Sequence, residues 1–365
     1  MFTPADREFM ARALGLAERG FFTTTPNPRV GCVVVRGGEV VGEGFHERAG
    51  EAHAEVNALR AAGGRAAGGT VYVNLEPCSH HGRTPPCTDA LVAAGVKRVV
   101  VAMGDPNPKV SGQGFAALRA AGVEVASGLL EAEARELNVG FVSRMTRGRP
   151  WVRLKVAATL DARTALADGE SQWITGEAAR RDGHRWRARA CAILTGIGTV
   201  KDDDPRLTVR DVETPRQPLR VLVDSRLEVP LSARILEGGN LLVAAAIEDQ
   251  ARIDALHERG AEVVVLPNAS GKVELEDLLR ELGRRALNEI HVEAGFKLNG
   301  SLVAAGVVDE LLVYIAPKVL GESARGMFNL PGVERLADAR RLQLMDVARI
   351  GEDVRLRLGT TRGDL

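Results

Sequence analysis

Hydrophobic and polar positions change period repeatedly along the first part of the chain, and the changes predict a succession of helices and strands. After Thr3-Pro4, apolar residues recur at helical spacing as far as Gly20, which predicts a capped helix. Two apolar runs, 31–35 and 40–45, flank Arg36-Gly37-Gly38-Glu39 and predict a β-hairpin. The pattern then predicts helix 53–62, strand 71–73, helix 88–95, strand 98–103, helix 114–121, strand 123–126 and a helix from residue 130. Such alternation is typical of a layered α/β domain.

The alternation restarts after residue 150. It predicts strands at 152–157, 192–194, 219–223, 241–246, 262–266, 289–292 and 310–315, helices at 177–189, 249–258 and 275–287, and a terminal hairpin, 342–350 with 354–358, at a sheet edge. The stretch Arg144-Met145-Thr146-Arg147-Gly148-Arg149-Pro150 between the two periodic regions is basic and contains glycine and proline. We therefore predict two domains, residues 1–146 and 150–365.

Composition narrows the functional classes. The 365 residues contain 48 Lys+Arg and 48 Asp+Glu, so the formal net charge is zero, which speaks against broad electrostatic binding to nucleic acid or acidic membranes. No signal-peptide pattern opens the chain, and no apolar stretch is long enough to cross a bilayer. Four cysteines are too few for a disulfide scaffold in a chain of this size. We expect a cytoplasmic protein that binds neither nucleic acid nor membrane.

A small set of residues predicts a zinc site in the first domain. His53-Ala54-Glu55 opens a helix, and Pro77-Cys78 and Cys87 lie in the loop after the next strand. One imidazole and two thiolates leave a tetrahedral zinc one ligand short, and catalytic zinc keeps that position for water. We predict that His53, Cys78 and Cys87 bind Zn²⁺ and that Glu55 moves protons between the water and a departing amino group. The pattern matches the H-x-E…P-C-x-x-C signature of zinc deaminases, except that eight residues separate the cysteines.

Other interpretations of these residues remain open. His80 or His81 could complete a structural zinc site, although the conjunction of H-x-E, a strand and P-C favours catalysis. We interpret both histidines as pocket-lining groups, because a fourth protein ligand would close the site. A deaminase acting on tRNA or single-stranded nucleic acid would need a basic channel and stacking aromatics, and aromatic residues make up only 4% of the chain. A non-catalytic zinc-stabilised binding protein would not need Glu55, which is present.

The second domain carries two glycine patterns. Gly196-Ile197-Gly198 is followed by Lys201 where a third glycine would be needed, so the usual dinucleotide-binding pattern is absent. The segment 295–301 follows a predicted strand and precedes a helix, so its backbone N–H groups could hold a phosphate. A plain strand-to-helix turn explains the same pattern.

Several motifs together resemble one enzyme family. The eleven residues from Pro77 to Cys87 resemble the bifunctional deaminase–reductases of riboflavin biosynthesis. The resemblance covers nearly the whole chain, in matching order, through Pro26-Asn27-Pro28, His53-Ala54-Glu55-Val56, Asp105-Pro106-Asn107-Pro108, Gly169-Glu170-Ser171-Gln172-Trp173-Ile174-Thr175, Asp203-Asp204-Pro205-Arg206-Leu207-Thr208-Val209-Arg210, Val292-Glu293-Ala294-Gly295 and Tyr314-Ile315-Ala316-Pro317-Lys318.

The resemblance implies a cytidine-deaminase-like three-layer α/β/α domain at 1–146 and a dihydrofolate-reductase-like α/β domain at 150–365. The first would deaminate 2,5-diamino-6-(5-phosphoribosylamino)pyrimidin-4(3H)-one with Zn²⁺. The second would reduce the ribosyl side chain with NADPH, giving 5-amino-6-(5-phosphoribitylamino)uracil. The implied partners are therefore small phosphorylated pyrimidines, and we expect a homo-oligomer, a dimer or a tetramer.

The resemblance also implies the residues of the second site. It places the cofactor against Ala157, Trp173, Thr199, Asp203, Ser225, Gly295, Phe296, Lys297, Leu298, Asn299, Gly300 and Ser301, and the substrate against Ser171, Arg187, Leu207, Arg210 and Glu293. The guanidinium groups of Arg187 and Arg210 suit a ribose phosphate, although either could be a solvated charge.

Some roles stay open within this interpretation. Trp173 could belong to the core, Asp203 could assist protonation or hold a loop, and Lys155 could supply charge or snorkel from its strand. The chain departs from the family at Ala162 and Ala294, where the family usually has glycine, so the turn after Leu160 must tolerate a Cβ atom.

Overall fold

The computed structural model describes residues 2–80, 85–108, 110–330, 332 and 334–360. The chain divides into two compact units, Met1–Gly148 and Arg149–Leu365. Each unit has buried apolar clusters of its own. In the described residues, no helix combines the length and the apolar character needed to cross a membrane.

The described residues of the first unit form a five-stranded sheet covered by helices. The strands are β1 (Gly31–Arg36), β2 (Glu39–Phe45), β3 (Thr70–Leu75), β4 (Arg98–Met103) and β5 (Glu124–Ser127). The helices are α1 (Pro4–Glu18), α2 (Ala54–Ala62), α3 (Cys87–Ala93), α4 (Gln113–Ala120), α5 (Glu131–Leu137) and α6 (Val139–Arg147). The strand order is β2-β1-β3-β4-β5, with β1 antiparallel to both neighbours and β3, β4 and β5 parallel.

Local chemistry explains two of these elements. The Thr3 hydroxyl accepts a hydrogen bond from the Asp6 backbone N–H (3.1 Å), and the Asp6 carboxylate accepts one from the Thr3 N–H (2.8 Å), so a capping box starts α1. Gly37 and Gly38 join β1 to β2 with φ values of 59° and 86°. A two-residue hairpin turn of this kind needs positive φ at both positions, which glycine adopts without strain.

The segment after residue 130 differs from the prediction of one helix. It forms two helices, α5 and α6, because the helical conformation is interrupted at Asn138. The Asn138 side chain accepts from the Arg29 backbone N–H (2.8 Å) and donates to the Arg29 carbonyl (3.0 Å). These tertiary bonds, distant in sequence, fix the break. The first four residues of the basic stretch, Arg144 to Arg147, form the last turn of α6, and Gly148 caps the helix with φ 69°.

The described residues of the second unit form a nine-stranded sheet of order β11-β10-β9-β8-β12-β6-β13-β16-β15 and a two-stranded pair of β14 with β7. The strands are β6 (Trp151–Thr159), β7 (Arg163–Ala165), β8 (Ala192–Gly196), β9 (Leu219–Val223), β10 (Leu241–Ala245), β11 (Ala261–Val265), β12 (Glu289–Val292), β13 (Glu310–Ala316), β14 (Arg325–Gly326), β15 (Leu342–Ile350) and β16 (Asp353–Thr360). The helices are α7 (Glu177–Arg189), α8 (Ile197–Asp203), α9 (Gln250–Glu258), α10 (Leu275–Arg284) and α11 (Phe296–Ala304).

The sheet is parallel from β11 to β13, and β16 and β15 extend it antiparallel to the edge. The carboxyl ends of its parallel strands therefore meet at one edge, the usual place for a ligand site in such sheets. Residues 197–203, for which the sequence analysis predicts no element, form α8. The segment 295–301, expected to precede a helix, is mostly the first turns of α11. Ala162 takes φ 62°, so the turn after Leu160 does accommodate a Cβ atom.

A buried charge cluster joins the middle strands of this sheet. The fully buried Arg153 of β6 lies 3.1 Å from a carboxylate oxygen of Glu289 and 2.8 Å from one of Glu310. Arg189 and Arg357 bind the same two carboxylates from the outside. The Arg153 guanidinium also lies 4.4 Å from the centre of the Trp186 ring. Each buried charge is thus paired, as burial requires.

Candidate active sites

Three predicted metal ligands meet in the first unit. His53 is the residue immediately before α2, Cys78 follows β3, and Cys87 is the first residue of α3. The His53 Nδ1 atom lies 3.2 Å from the Cys87 sulfur and 3.5 Å from the Cys78 sulfur, and all three donor atoms lie within 4.8 Å of one another. Tetrahedral bonds of about 2.0–2.3 Å space zinc ligands at roughly 3.5–3.8 Å, so the donor set fits one zinc ion.

The position of the neighbouring histidines bears on a fourth ligand. Within the described part of the chain, the metal-binding donor group contains His53 and the two cysteines, and His80 is exposed and outside it. The predicted pocket-lining residue His81 lies outside the described residues. Within the described residues the group therefore has three donors, the number of protein ligands at a catalytic zinc, whereas a structural zinc has four.

Glu55 lies in the first turn of α2, beside these donors, and is buried. Burial raises the pKa of Glu55 to about 6. A carboxyl group with that pKa can take up and release a proton near neutral pH, which suits general acid–base chemistry.

The sequence interpretation missed two side chains near this centre. The His46 ring lies edge-on to the His53 ring, with 5.3 Å between the ring centres. Asn27 donates from its side-chain amide to His46 Nε2 (3.0 Å), and His46 Nδ1 lies 3.2 Å from the Ala52 carbonyl oxygen. Asn27 belongs to a motif of the resemblance, whereas His46 only follows the predicted strand 40–45. A histidine after a strand carries no local signal of its own.

The second unit contains a cavity of about 1700 Å³ at the carboxyl edge of the parallel strands. Ligand pockets usually measure about 300–1,000 Å³, so this cavity has room for two molecules. The predicted residues that line it are Ala157, Ser171, Trp173, Arg187, Thr199, Asp203, Leu207, Arg210, Ser225, Glu293, Gly295, Phe296, Lys297, Leu298, Asn299 and Ser301.

Gly300 has a different position from its neighbours. It lies inside α11, and a Cβ atom there would overlap the carbonyl oxygen of Asn329. This glycine therefore allows the helix to pack closely against another segment and does not line the cavity. The Asn299 side chain, although part of the lining, donates to the Met327 carbonyl (3.3 Å).

Glu293 is the centre of an ionic group in the cavity. The Arg187 guanidinium binds both of its carboxylate oxygens, at 2.8 Å for Nη2–Oε2, and also donates to the Thr208 carbonyl (3.1 Å). The Lys155 ammonium lies 4.0 Å from Glu293 Oε2. Burial would raise the pKa of Glu293, but the charges of Arg187 and Lys155 hold it well below its usual range. Burial also lowers the pKa of Lys155.

This pairing changes the expectation for the two arginines. Glu293 already occupies the fork of Arg187, so fewer of its N–H groups face a phosphate. Arg210 is exposed at the cavity, and among the described residues its guanidinium has no ion-pair partner. Its backbone N–H donates to Nδ1 of His184 (3.2 Å), a cavity-lining residue that the sequence interpretation did not identify. Burial and the Arg187 charge lower the pKa of His184 to about 4.

The surroundings of Trp173 decide between its two interpretations, and those of Asp203 show one contact. The Trp173 side chain is 62% exposed, with the Arg180 guanidinium 4.7 Å from its ring centre, so it does not belong to the core. Asp203 accepts a hydrogen bond from the Ser171 hydroxyl (3.1 Å) and so holds the loop that carries Ser171.

The fold and the two sites define a two-domain enzyme in which a zinc-binding deaminase domain precedes a second α/β catalytic domain. Residues 3–103 match the family described as the cytidine and deoxycytidylate deaminase zinc-binding region, and residues 150–356 match the RibD C-terminal domain. The chain is 51% identical to riboflavin biosynthesis protein RibD of Escherichia coli (strain K12), over 97% of this chain and 99% of that protein. The chain belongs to the RibD family of riboflavin biosynthesis proteins.

Solved structures agree with this assignment. Acinetobacter baumannii RibD, form 1, superposes with a TM-score of 0.91 and is 46% identical, with 98% of this chain and 99% of that chain covered. A second solved structure is a Thermotoga maritima protein described as a diaminohydroxyphosphoribosylaminopyrimidine deaminase/5-amino-6-(5-phosphoribosylamino)uracil reductase. It superposes with a TM-score of 0.87 and is 33% identical, with 98% of this chain and 99% of that chain covered. The predicted fold class is confirmed, and so is the assignment as a bifunctional deaminase and reductase.

Proposed function

We propose that residues 1–146 deaminate 2,5-diamino-6-(5-phosphoribosylamino)pyrimidin-4(3H)-one with Zn²⁺, and that residues 150–365 then reduce its ribosyl side chain with NADPH. The observation that carries the proposal is the donor group His53, Cys78 and Cys87 beside the buried Glu55. The family assignment connects this site to a second, separate cavity in the same chain.

The residues of the first site suit hydrolytic deamination. His53, Cys78 and Cys87 would hold the metal, and zinc supplies a water nucleophile at near-neutral pH. Water adds to the ring carbon that bears the amino group, and ammonia leaves. Glu55 would take a proton from the water and deliver it to the departing nitrogen, a task that fits a carboxyl group with a pKa of about 6.

The cavity of the second unit suits a reduction that needs two bound molecules. When bound, NADPH would supply a hydride to C1 of the opened ribosyl group, and a proton would complete the reduction. The start of α11 at Gly295 presents backbone N–H groups that suit cofactor phosphates. The exposed guanidinium of Arg210 suits the substrate phosphate. Lys155 and Glu293 would orient the sugar hydroxyls, since the first donates and the second accepts hydrogen bonds.

The test incubates purified, zinc-loaded protein with the diaminopyrimidine ribosylamine phosphate, with and without NADPH, and follows products by mass spectrometry. Deamination without NADPH, followed by reduction only when NADPH is added, is the expected result. Absence of deamination by the zinc-loaded protein would overturn the proposal. Replacing NADPH by NADH under the same conditions measures how strongly the second site prefers the phosphorylated cofactor.

We also propose that the chain self-associates through the edge of its larger sheet. β15 is an edge strand, and the side chains of Leu344 (57% exposed) and Val347 (55%) are uncovered together with Leu342 and Met345. An exposed apolar edge strand is an open surface for pairing. Sedimentation velocity should give a dimer or tetramer that Val347→Asp shifts toward the monomer. A monomer at all concentrations would refute self-association.

A further inference from the structure

One buried carboxylate in the first unit receives an unusual number of backbone hydrogen bonds. Glu76 follows β3, lies two residues before Cys78 and is 3% exposed. Its Oε2 atom accepts from the backbone N–H groups of Asp105 (3.1 Å) and Gly112 (3.0 Å). Its Oε1 atom accepts from Gly114 (2.9 Å) and Phe115 (3.3 Å). Both oxygens are thus bound to a segment far away in sequence.

The start of α4 explains why this carboxylate is needed. The first N–H groups of a helix have no partner within the helix, and a capping side chain usually accepts from them. Here the capping position is Gly112, which has φ 80° and no side chain. Glu76, which belongs to the segment that carries the zinc ligand Cys78, accepts these hydrogen bonds instead. A Cβ atom at Gly114 would overlap the Pro77 carbonyl oxygen, so the helix start lies directly against this segment.

The same carboxylate accepts from the backbone N–H groups of Asp105 and Gly112, which bound the segment of described residues 105–108 and 110–112. Asp105 begins that segment, and its carboxylate accepts from the Asn107 N–H (2.8 Å), which tightens the turn. At the other end, Gly114 lies directly against Pro77, the residue before Cys78. The segment therefore stands next to the metal ligands, and a single side chain fixes its position relative to them.

We propose that Glu76 is a positioning residue of the deaminase. Its four N–H···O bonds hold Asp105 and residues 112–115 as a fixed wall of the substrate pocket, at a set distance from the loop that carries Cys78. The inference rests on the proposed deamination, because that reaction gives the wall its substrate. Glu76 itself touches neither metal nor substrate in this role. Its loss should therefore weaken substrate binding and leave the metal ligands in place.

The test compares Glu76→Gln, Glu76→Ala and the control Glu133→Gln, which changes an exposed glutamate of the same unit. In Glu76→Gln an amide NH₂ group faces two of the four donors, and Glu76→Ala removes all four acceptor contacts. We expect one zinc per chain in Glu76→Gln, a rise in the deamination KM of about tenfold or more, and kcat within about threefold of wild type. Glu76→Ala should raise KM further, and the control should change neither constant.

Hydrogen exchange gives a readout that does not depend on activity. In Glu76→Gln the amides of Asp105, Gly112 and Gly114 should exchange faster than in wild type, while reductase activity stays unchanged. Zinc loss, or a fall in kcat with KM unchanged, would overturn the proposal, because Glu76 would then act through Cys78. Faster exchange with unchanged KM and kcat would overturn it too. If Glu76→Ala does not fold, Glu76→Gln decides alone. Inactive wild type would reject the proposed function first, and this inference with it.

Discussion

Glu55→Gln separates the proton-transfer role of this glutamate from the binding of the metal. Glutamine has nearly the same shape as glutamate, so the substitution should not displace the donor atoms of His53, Cys78 and Cys87. It removes the one property on which the proposed mechanism depends, the ability to take up and release a proton. Zinc should therefore remain bound while deamination is lost.

The magnitude follows from the burial of the side chain. A positioned acid–base group contributes about 10²–10⁴ in rate. Glu55 is 3% exposed, so bulk water cannot readily replace it as the proton carrier, and its contribution should fall in the upper half of that range. We expect kcat for deamination to fall about 10³-fold, equivalent to about 4 kcal/mol of activation free energy.

The assay measures ammonia release without NADPH, zinc per chain by elemental analysis, and reduction of supplied deaminated substrate. Glu18→Gln, at an exposed position of the same unit, serves as the control and should leave all three values unchanged. Deamination within about tenfold of wild type, with zinc bound, would refute the role of Glu55 as the proton carrier. Loss of reduction as well would count against independent sites.

The second unit supports three further predictions. Arg153→Met leaves two buried carboxylates without their shared cation and should lower the free energy of unfolding by about 3 kcal/mol in urea titrations. The control Arg181→Met, at an exposed ion pair, should lower it by less than about 1 kcal/mol. Equal effects of the two substitutions would contradict this prediction. The folded pKa of His184, about 4, lies below the unfolded value of 6.5, so its contribution to stability is complete above pH 6.5 and is lost progressively as the pH drops toward 4. His184→Asn should flatten that part of a stability–pH curve, and an unchanged slope would contradict it. Lys155→Met removes the donor that would orient the sugar hydroxyls, so it should lower kcat for reduction by about 10²-fold, measured from NADPH absorbance. A change below threefold would exclude Lys155 from the reaction.

Much of the local structure could be predicted from sequence because local chemistry determines it. The cap at Thr3 starts α1, and strands β9 and β12 have the predicted bounds. The zinc ligands could be proposed because few residue types bind zinc and their order along the chain is characteristic. The structure brings His53, Cys78 and Cys87 together, as this hypothesis requires.

The remaining features depend on contacts that no local pattern contains. The break at Asn138 results from hydrogen bonds to Arg29, more than a hundred residues away. The pairing of Arg187 with Glu293, which limits the proposed phosphate contact, appears only when α7 packs beside β12. The glycine spacing of 295–301 could indicate a loop or a helix start, and close packing at Gly300 shows why glycine is needed there.

The division of the chain at residues 148 and 149 has an evolutionary consequence. His53, Cys78, Cys87 and Glu55 precede this point in the chain. The described residues that line the cavity of the second unit follow it. A gene fused or cut there would keep each set of site residues in one piece. Two ancestral genes could therefore have been joined, or a present one split, without rebuilding either catalytic centre. Recombination at this junction would let each half acquire a new companion while its own chemistry stayed intact.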